Sequence, residues 1–205
     1  MTTEITTIAE QSLSPEVTGL IGALIGGGCT LIASLLTFWY QGKQAEKAED
    51  LLVQGVLQAI HDEMSALIER YNKAIGVQVA ELKEGEAFRF FFTVSHDYFS
   101  AFHGNSFLIG RVKNHKLRSQ IVRAYVQAKG TLDSYRMNNE LLSKYEFAHK
   151  IWQETASETH LMQAKAHEES LIIYAAQIKQ DHELLMRDVD ELLNTLKEEG
   201  LLSEK

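Results

Sequence analysis

Residues 17–40 read VTGLIGALIGGGCTLIASLLTFWY, and this stretch of 24 residues without a charged side chain decides the fold. At about 1.5 Å per residue, a helix of this length measures roughly 36 Å and can cross a hydrocarbon core of about 30 Å. Trp39 and Tyr40 close the stretch with amphipathic rings, which are enriched where a membrane meets water. The pattern predicts a transmembrane helix rather than a buried core helix, which is rarely so long and so free of charge.

The charges on either side of this stretch predict its orientation. The preceding residues, 1–16, hold three glutamates and no Lys or Arg, whereas Lys43 and Lys47 follow the stretch. A cleaved signal peptide would begin with basic residues, so that alternative is disfavoured. Because basic residues stay on the cytoplasmic side, we expect a single-pass membrane protein with a short non-cytoplasmic tail and a cytoplasmic C-terminal part.

Small residues recur along one side of the predicted membrane helix. Gly22 and Gly26 form a GxxxG pair, and Gly19, Ala23 and Gly27 form a second stripe of small residues with the same spacing of four. Such stripes let two helix backbones approach closely in lipid. The sequence therefore predicts that this helix packs against other copies of itself in a homo-oligomer.

The rest of the chain has the composition of long helices. The only proline among 205 residues is Pro15, which precedes the membrane stretch, and proline is the strongest helix breaker. We expect an all-α protein, with a transmembrane helix at 17–40, a juxtamembrane helix at 41–75 and a helical cytoplasmic sensor domain at 76–205. An aromatic segment around 86–95 could be a short strand or irregular.

Three series of apolar residues at helical spacing predict the faces on which these helices pack. The first is Val53, Leu57, Ile60, Met64, Leu67 and Tyr71. The second belongs to a helix that begins near Asn114, and comprises Leu117, Ile121, Tyr125, Ala128, Leu132 and Tyr135. The third, after a break near 156–157, comprises Leu171, Ala175, Ile178, His182, Leu185, Val189, Leu192 and Leu196. The third series resembles a coiled-coil stripe, which favours a long-helix bundle that forms oligomers.

Motifs for catalysis or metal binding are weak. The single cysteine, Cys29, excludes an internal disulfide and a cysteine zinc site, and no phosphate-binding loop is present. His-Asp pairs occur at His61-Asp62 and His96-Asp97. Metal phosphohydrolases use such a pair together with further His and Asp ligands, and the pair alone is a weak signal. We therefore expect no enzyme activity, no metal and no cofactor, and we interpret His182 as a hydrogen-bonded interface histidine between helices rather than a ligand or a pH switch.

One basic segment stands out in a chain of net charge −8. No Asp or Glu occurs between Asp97 and Asp133. The candidate ligand-binding residues in this segment are His103, Asn105, Arg111, Lys113, Lys116, Arg118, Arg123 and Lys129, with aromatic residues among them. Cations pair with phosphates and rings stack on bases, so an anionic nucleotide ligand is one interpretation. A face that docks onto acidic helices and a face that contacts anionic lipid are the other two.

The segment YFSAFHGNSFLIG at 98–110, followed by LRSQIVRAYVQAKGTLD at 117–133, resembles the core of a broad class of small bacterial membrane proteins. Within that class, the overall layout resembles the membrane-anchored effectors of type III CRISPR systems that cyclic tetra-adenylate activates. The resemblance implies a homotetramer, a cyclic oligoadenylate activator and perturbation of the membrane, by a pore or otherwise, in antiviral defence.

Two functions therefore remain open from the sequence. The first is a membrane-anchored antiviral effector whose cytoplasmic domain binds a cyclic oligonucleotide, without any role for duplex nucleic acid, which the acidic net charge disfavours. The alternative is a structural membrane scaffold that binds a protein partner through its helical stripes.

Overall fold

The computed structural model describes residues 15–93 and 98–198, apart from the side chains of residues 15–18 and 21. Contacts divide the chain into two units, Met1–Asp50 and Leu51–Lys205, which we call the N-terminal and C-terminal units. Every regular element in the described ranges is a helix, so the all-α prediction is confirmed. Most of the predicted tail and the pair His96-Asp97 lie outside the described residues.

Three long helices dominate the described chain. The elements are α1 (Pro15–Tyr71), a π-helical turn (Asn72–Gly76), α2 (Val77–Ala80), α3 (Ser100–Gly104), α4 (Ser106–Gly110), α5 (His115–Thr155) and α6 (Glu158–Glu198). Helix α1 continues through Gly42, where the sequence allowed a break, and supplies residues to both units.

In the N-terminal unit, the polar side chains of α1 bond to the helix itself. The hydroxyls of Ser34 and Thr37 donate to carbonyls one turn earlier, each at 2.8 Å, and Thr30 donates to Gly26 in the same way. These bonds satisfy the hydroxyl donors of Thr30, Ser34 and Thr37 without water, which suits an apolar environment. Lys43 lies 3.9 Å from the centre of the Trp39 ring, where the apolar stretch ends.

In the C-terminal unit, α5 and α6 form an antiparallel hairpin. Helix α5 begins where the sequence predicts, because the side chain of Asn114 accepts hydrogen bonds from the backbone N–H groups of Lys116 and Leu117 at 2.9 and 3.1 Å. It ends at Ala156, whose left-handed backbone and N–H bond to Trp152 close the helix before the tight connection to α6.

The predicted apolar faces form the core of this unit. All eight residues of the α6 series are buried, and so are most residues of the other two series. Val53, Leu67 and Leu132 are half-buried against the same core. Because Leu185 and Leu192 are buried within one protomer, the α6 stripe that the scaffold hypothesis used is already occupied by intramolecular packing.

The aromatic segment before the undescribed gap is irregular rather than a strand over residues 86–93. Two neighbouring asparagines of α5 hold it. Asn139 accepts from the N–H of Phe92 at 3.2 Å and donates to its carbonyl at 2.8 Å, which reproduces the bonding of a strand neighbour. Asn138 donates to the carbonyls of Phe88 and Phe90 at 3.1 and 3.4 Å. The backbone therefore finds partners on a helix instead of in a sheet.

A carboxylate on α1 fixes the short helix α3. Glu63 accepts from the N–H of Ala101 at 2.8 Å, from the hydroxyl of Ser100 at 2.9 Å and from the hydroxyl of Tyr125 at 2.7 Å. Burial raises the pKa of Glu63, but these hydrogen bonds outweigh burial and the net pKa lies below its usual range. An anion at the start of α3 thus links α1, α3 and α5.

We expect Glu63→Gln to destabilise the C-terminal unit by about 2 kcal/mol, because an amide cannot accept from all the donors that now meet the carboxylate. The measurement is chemical unfolding of the full chain in detergent, followed by circular dichroism. Glu69→Gln is the matched control, since Glu69 is exposed on the same helix and pairs only with Lys73; it should cost less than about 0.5 kcal/mol. Equal effects of the two substitutions would contradict the role of Glu63.

Candidate functional site

The structure divides the basic segment into groups with different surroundings. His103 lies in α3 and Asn105 follows it, Arg111 and Lys113 precede α5, and the remaining candidates lie on α5. Two of the eight candidates, His103 and Lys129, line one pocket, and the other six are not part of its lining.

Two of the arginines are bound to the protein itself. The Arg118 guanidinium donates to the carbonyls of Gly110 and Val112 at 3.4 and 3.1 Å, which holds the end of α4 against α5. Arg123 pairs with Asp188 at 3.4 Å and with Glu191, both on α6. The contacts of Arg123 support the docking interpretation at that position, because this cation faces acidic groups of the same protomer.

A second group comes together in a pocket of about 310 Å³, which we call the basic cleft. Its lining comprises Tyr98, Phe99, His103, Lys129, Leu132, Asp133 and Arg136. Helix α5 supplies four of these residues at positions 129, 132, 133 and 136, which share one helix face. Helix α3 and the two residues before it supply the opposite wall. The volume lies within the range of small-molecule pockets.

The cations of the basic cleft differ in their partners. Arg136 pairs with Asp133 at 3.0 Å. Lys129 has no hydrogen-bond or ion-pair partner among the described residues and is exposed, so its ammonium group is available to an anion. The ring of His103 packs edge-on against Phe102, with 5.6 Å between ring centres. Among the described lining residues, three basic side chains and the ring of Tyr98 therefore share one pocket with the carboxylate of Asp133.

The other candidates lie outside the basic cleft. Arg111 stacks over the exposed ring of Phe107 at 5.0 Å, Lys113 and Lys116 are exposed, and the side chain of Asn105 donates to the carbonyl of Ala101 at 2.9 Å. Sequence reasoning missed Arg136 because the acid-free window ends at Asp133. Helical periodicity starting from Lys129 would have found it, since residues seven apart lie on the same face.

A buried hydrogen-bond network joins the three long helices. The hydroxyl of Tyr71 lies 2.9 Å from the hydroxyl of Tyr135 and 2.8 Å from Nδ1 of His182. Burial raises the pKa of Tyr71 to about 12 and lowers the pKa of His182 below its usual range. Glu183 and Lys179 act on His182 in opposite directions and more weakly than burial does. The prediction of a hydrogen-bonded histidine between helices is confirmed.

Metal ligands do not cluster in the described chain, where no three of His, Cys, Asp and Glu lie close enough to hold an ion. His61 and Asp62 contact each other at 3.1 Å on α1. No family model, curated protein or solved structure matches this chain.

Within the described residues, one helix near the N-terminus is long and apolar enough to cross a membrane. Its apolar stretch is unburied in the protomer, and large side chains such as Leu24, Leu35 and Phe38 are more than 60% exposed. The small-residue stripes lie on this stretch, and a Cβ added at Gly19, Gly22, Gly26 or Gly27 would meet no atom within 4 Å. The stripes are therefore free within the protomer to contact another helix.

We expect the stability of the C-terminal unit to fall as the pH drops below about 6.5, the usual pKa of histidine. The folded pKa of His182 is lowered, so the unfolded chain binds the proton more readily and acid favours unfolding. Thermal melts between pH 7.5 and 5 measure this slope, which His182→Phe should reduce. His160→Gln is the control, since His160 bonds only to the side chain of Gln163. An unchanged slope in His182→Phe would assign the acid sensitivity to another group.

We expect Gly26→Leu to weaken self-association of the full chain several-fold, because a large side chain would separate helices that meet at the GxxxG stripe. Gly28→Leu is the control, since Gly28 belongs to neither stripe and is equally unobstructed. Energy transfer between labelled chains in detergent micelles measures the association. A similar loss in both variants would show only a general effect of bulk in this helix.

Proposed function

We propose that the protein is a membrane-anchored receptor and effector, whose C-terminal unit binds an anionic ligand in the basic cleft. The observation that carries this proposal is the convergence of His103, Lys129 and Arg136 on one pocket beside the ring of Tyr98. Lysine and arginine bind phosphate oxygens, and an aromatic ring offers a stacking surface for a base. These groups are suited to holding an anionic ligand, and we propose that the cleft binds this ligand rather than catalysing a reaction on it.

The ligand class that we propose is a cyclic oligoadenylate. The cleft supplies the general chemistry of a phosphate and a base, while this specific identity rests on the resemblance of the overall layout to effectors activated by cyclic tetra-adenylate. In a symmetric tetramer, each basic cleft would recur around one axis and could meet one adenylate of a ring. That symmetry is part of the proposal.

The proposed output is perturbation of the bacterial inner membrane, by a pore or otherwise, as an antiviral response. The apolar stretch of α1 would span the membrane, and Lys43 and Lys47 after it would place the C-terminal unit in the cytoplasm. A ligand changes such an assembly only if it binds one arrangement of the protomers more tightly than the other. The proposal therefore requires a difference in ligand affinity between resting and active oligomers.

A scaffold function has one observation in its favour. Large apolar side chains remain exposed on the hairpin, including Val126, Phe147 and Ile173, each more than 60% exposed. A protein partner would use such side chains rather than the buried series of α6. This alternative predicts no small anionic ligand.

We expect the full chain in lipid nanodiscs to bind cyclic tetra-adenylate more weakly as the salt concentration rises, because salt screens exposed charges. Lys129→Glu should weaken binding by at least about tenfold, since it reverses a charge in the cleft. Arg136→Gln should weaken binding in the same direction. Isothermal calorimetry with cyclic rings of three, four and six adenylates measures affinity and stoichiometry.

Lys144→Glu is the matched control, because Lys144 is exposed on α5 outside the cleft. It changes the net charge by the same amount and should leave the affinity within about twofold. Retained affinity in both cleft variants would place the ligand elsewhere. Failure of every ring size to bind the wild-type chain would contradict the ligand class and favour the scaffold.

A further inference from the structure

An apolar cavity adjoins the basic cleft inside the C-terminal unit. Its volume is about 50 Å³, and it is lined mainly by apolar side chains of α1, α5 and α6, among them Met64, Leu67, Ala128 and Leu185. Tyr98, Phe99 and Leu132 line both the cavity and the cleft. One wall of two aromatic rings and one leucine therefore separates a charged pocket from an apolar one.

The middle residue of this wall has a strained backbone. Phe99 has φ 75° and ψ 33°, in the left-handed region, although it carries a large side chain and is buried. Non-glycine residues in this region are uncommon, and they concentrate where a ligand binds or a switch operates. The Phe99 ring packs edge-on against Tyr125, with 5.5 Å between ring centres. The neighbouring bonds from Ser100 and Ala101 to Glu63 hold the backbone in place.

We propose that the cleft and the cavity are two halves of one site for a phosphate that carries a flat aromatic base. The phosphate lies against His103, Lys129 and Arg136, and the base enters between Tyr98 and Phe99 toward the cavity. This inference rests on the proposed function of the cleft and adds where the base binds.

The polarity of the two pockets assigns the two ends of the ligand. A phosphate is favoured at the cleft, where three basic side chains meet it, over the mainly apolar cavity, whose described lining has Arg70 as its one cation, because burying a charge with few partners is costly. A flat base gains from ring stacking and from burial of its faces. The polar edge of the base can reach the donors of Arg70 and the hydroxyl of Thr131, which both line the cavity. The Thr131 hydroxyl donates to the carbonyl of Gln127 at 2.9 Å and can still accept a hydrogen bond.

The size of the cavity requires the wall to move. An apolar cavity of about 150 Å³ accepts benzene in another protein, and this cavity is smaller. Displacement of the Phe99 ring would join the cavity to the cleft and allow the backbone to leave the left-handed region. Ligand entry would thus relieve the strain at Phe99, which links binding to the position of α3.

The test compares AMP with ribose 5-phosphate, which lacks the base, on the full chain in lipid nanodiscs. Calorimetry or NMR line shifts should show AMP binding at least tenfold more tightly. Ala128→Leu, which fills the cavity, should reduce the affinity for AMP to that for ribose 5-phosphate and leave the latter unchanged. Val126→Leu is the control on the exposed face of α5 and should preserve the difference.

Each outcome separates this inference from the function of the cleft. Equal affinities for AMP and ribose 5-phosphate in the wild type would overturn the base site and leave the cleft as a phosphate site. No binding of either probe at millimolar concentration would overturn both. If Ala128→Leu does not fold, Leu67→Trp at a half-buried position of the cavity lining decides. A difference that survives both cavity variants would place the base elsewhere.

Discussion

The candidate site depends on the hydrogen bonds that the carboxylate of Glu63 accepts. This carboxylate lies on α1, yet its oxygens receive donors from the start of α3 and from Tyr125 on α5. A helix of five residues has too few internal hydrogen bonds to be stable alone. The anion therefore supplies much of what keeps α3 in place, and α3 in turn carries His103 to the edge of the basic cleft. The strained backbone of Phe99 is held by the same contacts.

A second constraint acts through the hairpin of α5 and α6. The apolar face of α6 is completely buried, which leaves the outer face of α5 to carry charge and to form one side of the basic cleft. Asn138 and Asn139 extend the influence of α5 to the segment before the gap, because their amides satisfy backbone groups that would otherwise need a strand. Helix α5 thus positions residues 86–93 and forms one side of the basic cleft, and a shift of this helix along its axis would move both together.

The sequence predicted what depends on short-range periodicity. The buried faces of three helices follow from residues three or four apart, and the structure confirms these faces, the start of a helix near Asn114 and the break near 156–157. The cleft was only half predicted, through His103 and Lys129. Its geometry requires Glu63 to bind residues nearly forty positions later, and no local pattern reports such a contact. The ion pairs of Arg123 escaped prediction for the same reason, since the acids that it meets lie more than sixty positions away.

The sign and number of charges in the basic segment alone do not tell which of its cations are already bound within the protomer. Asp188 and Glu191 balance the charge of Arg123, and the carbonyls of Gly110 and Val112 occupy donors of Arg118, so neither arginine offers all of its donors to an incoming anion. Lys129 has no partner among the described residues and can offer its ammonium group. The access of an anion to Arg136 depends on Asp133. Because Asp133 pairs with Arg136, a phosphate gains that guanidinium only by sharing it or by displacing the carboxylate. Such competition reduces the affinity for a single phosphate and favours a ligand that offers more than one contact at once, such as a phosphate joined to a base or a ring that meets several protomers.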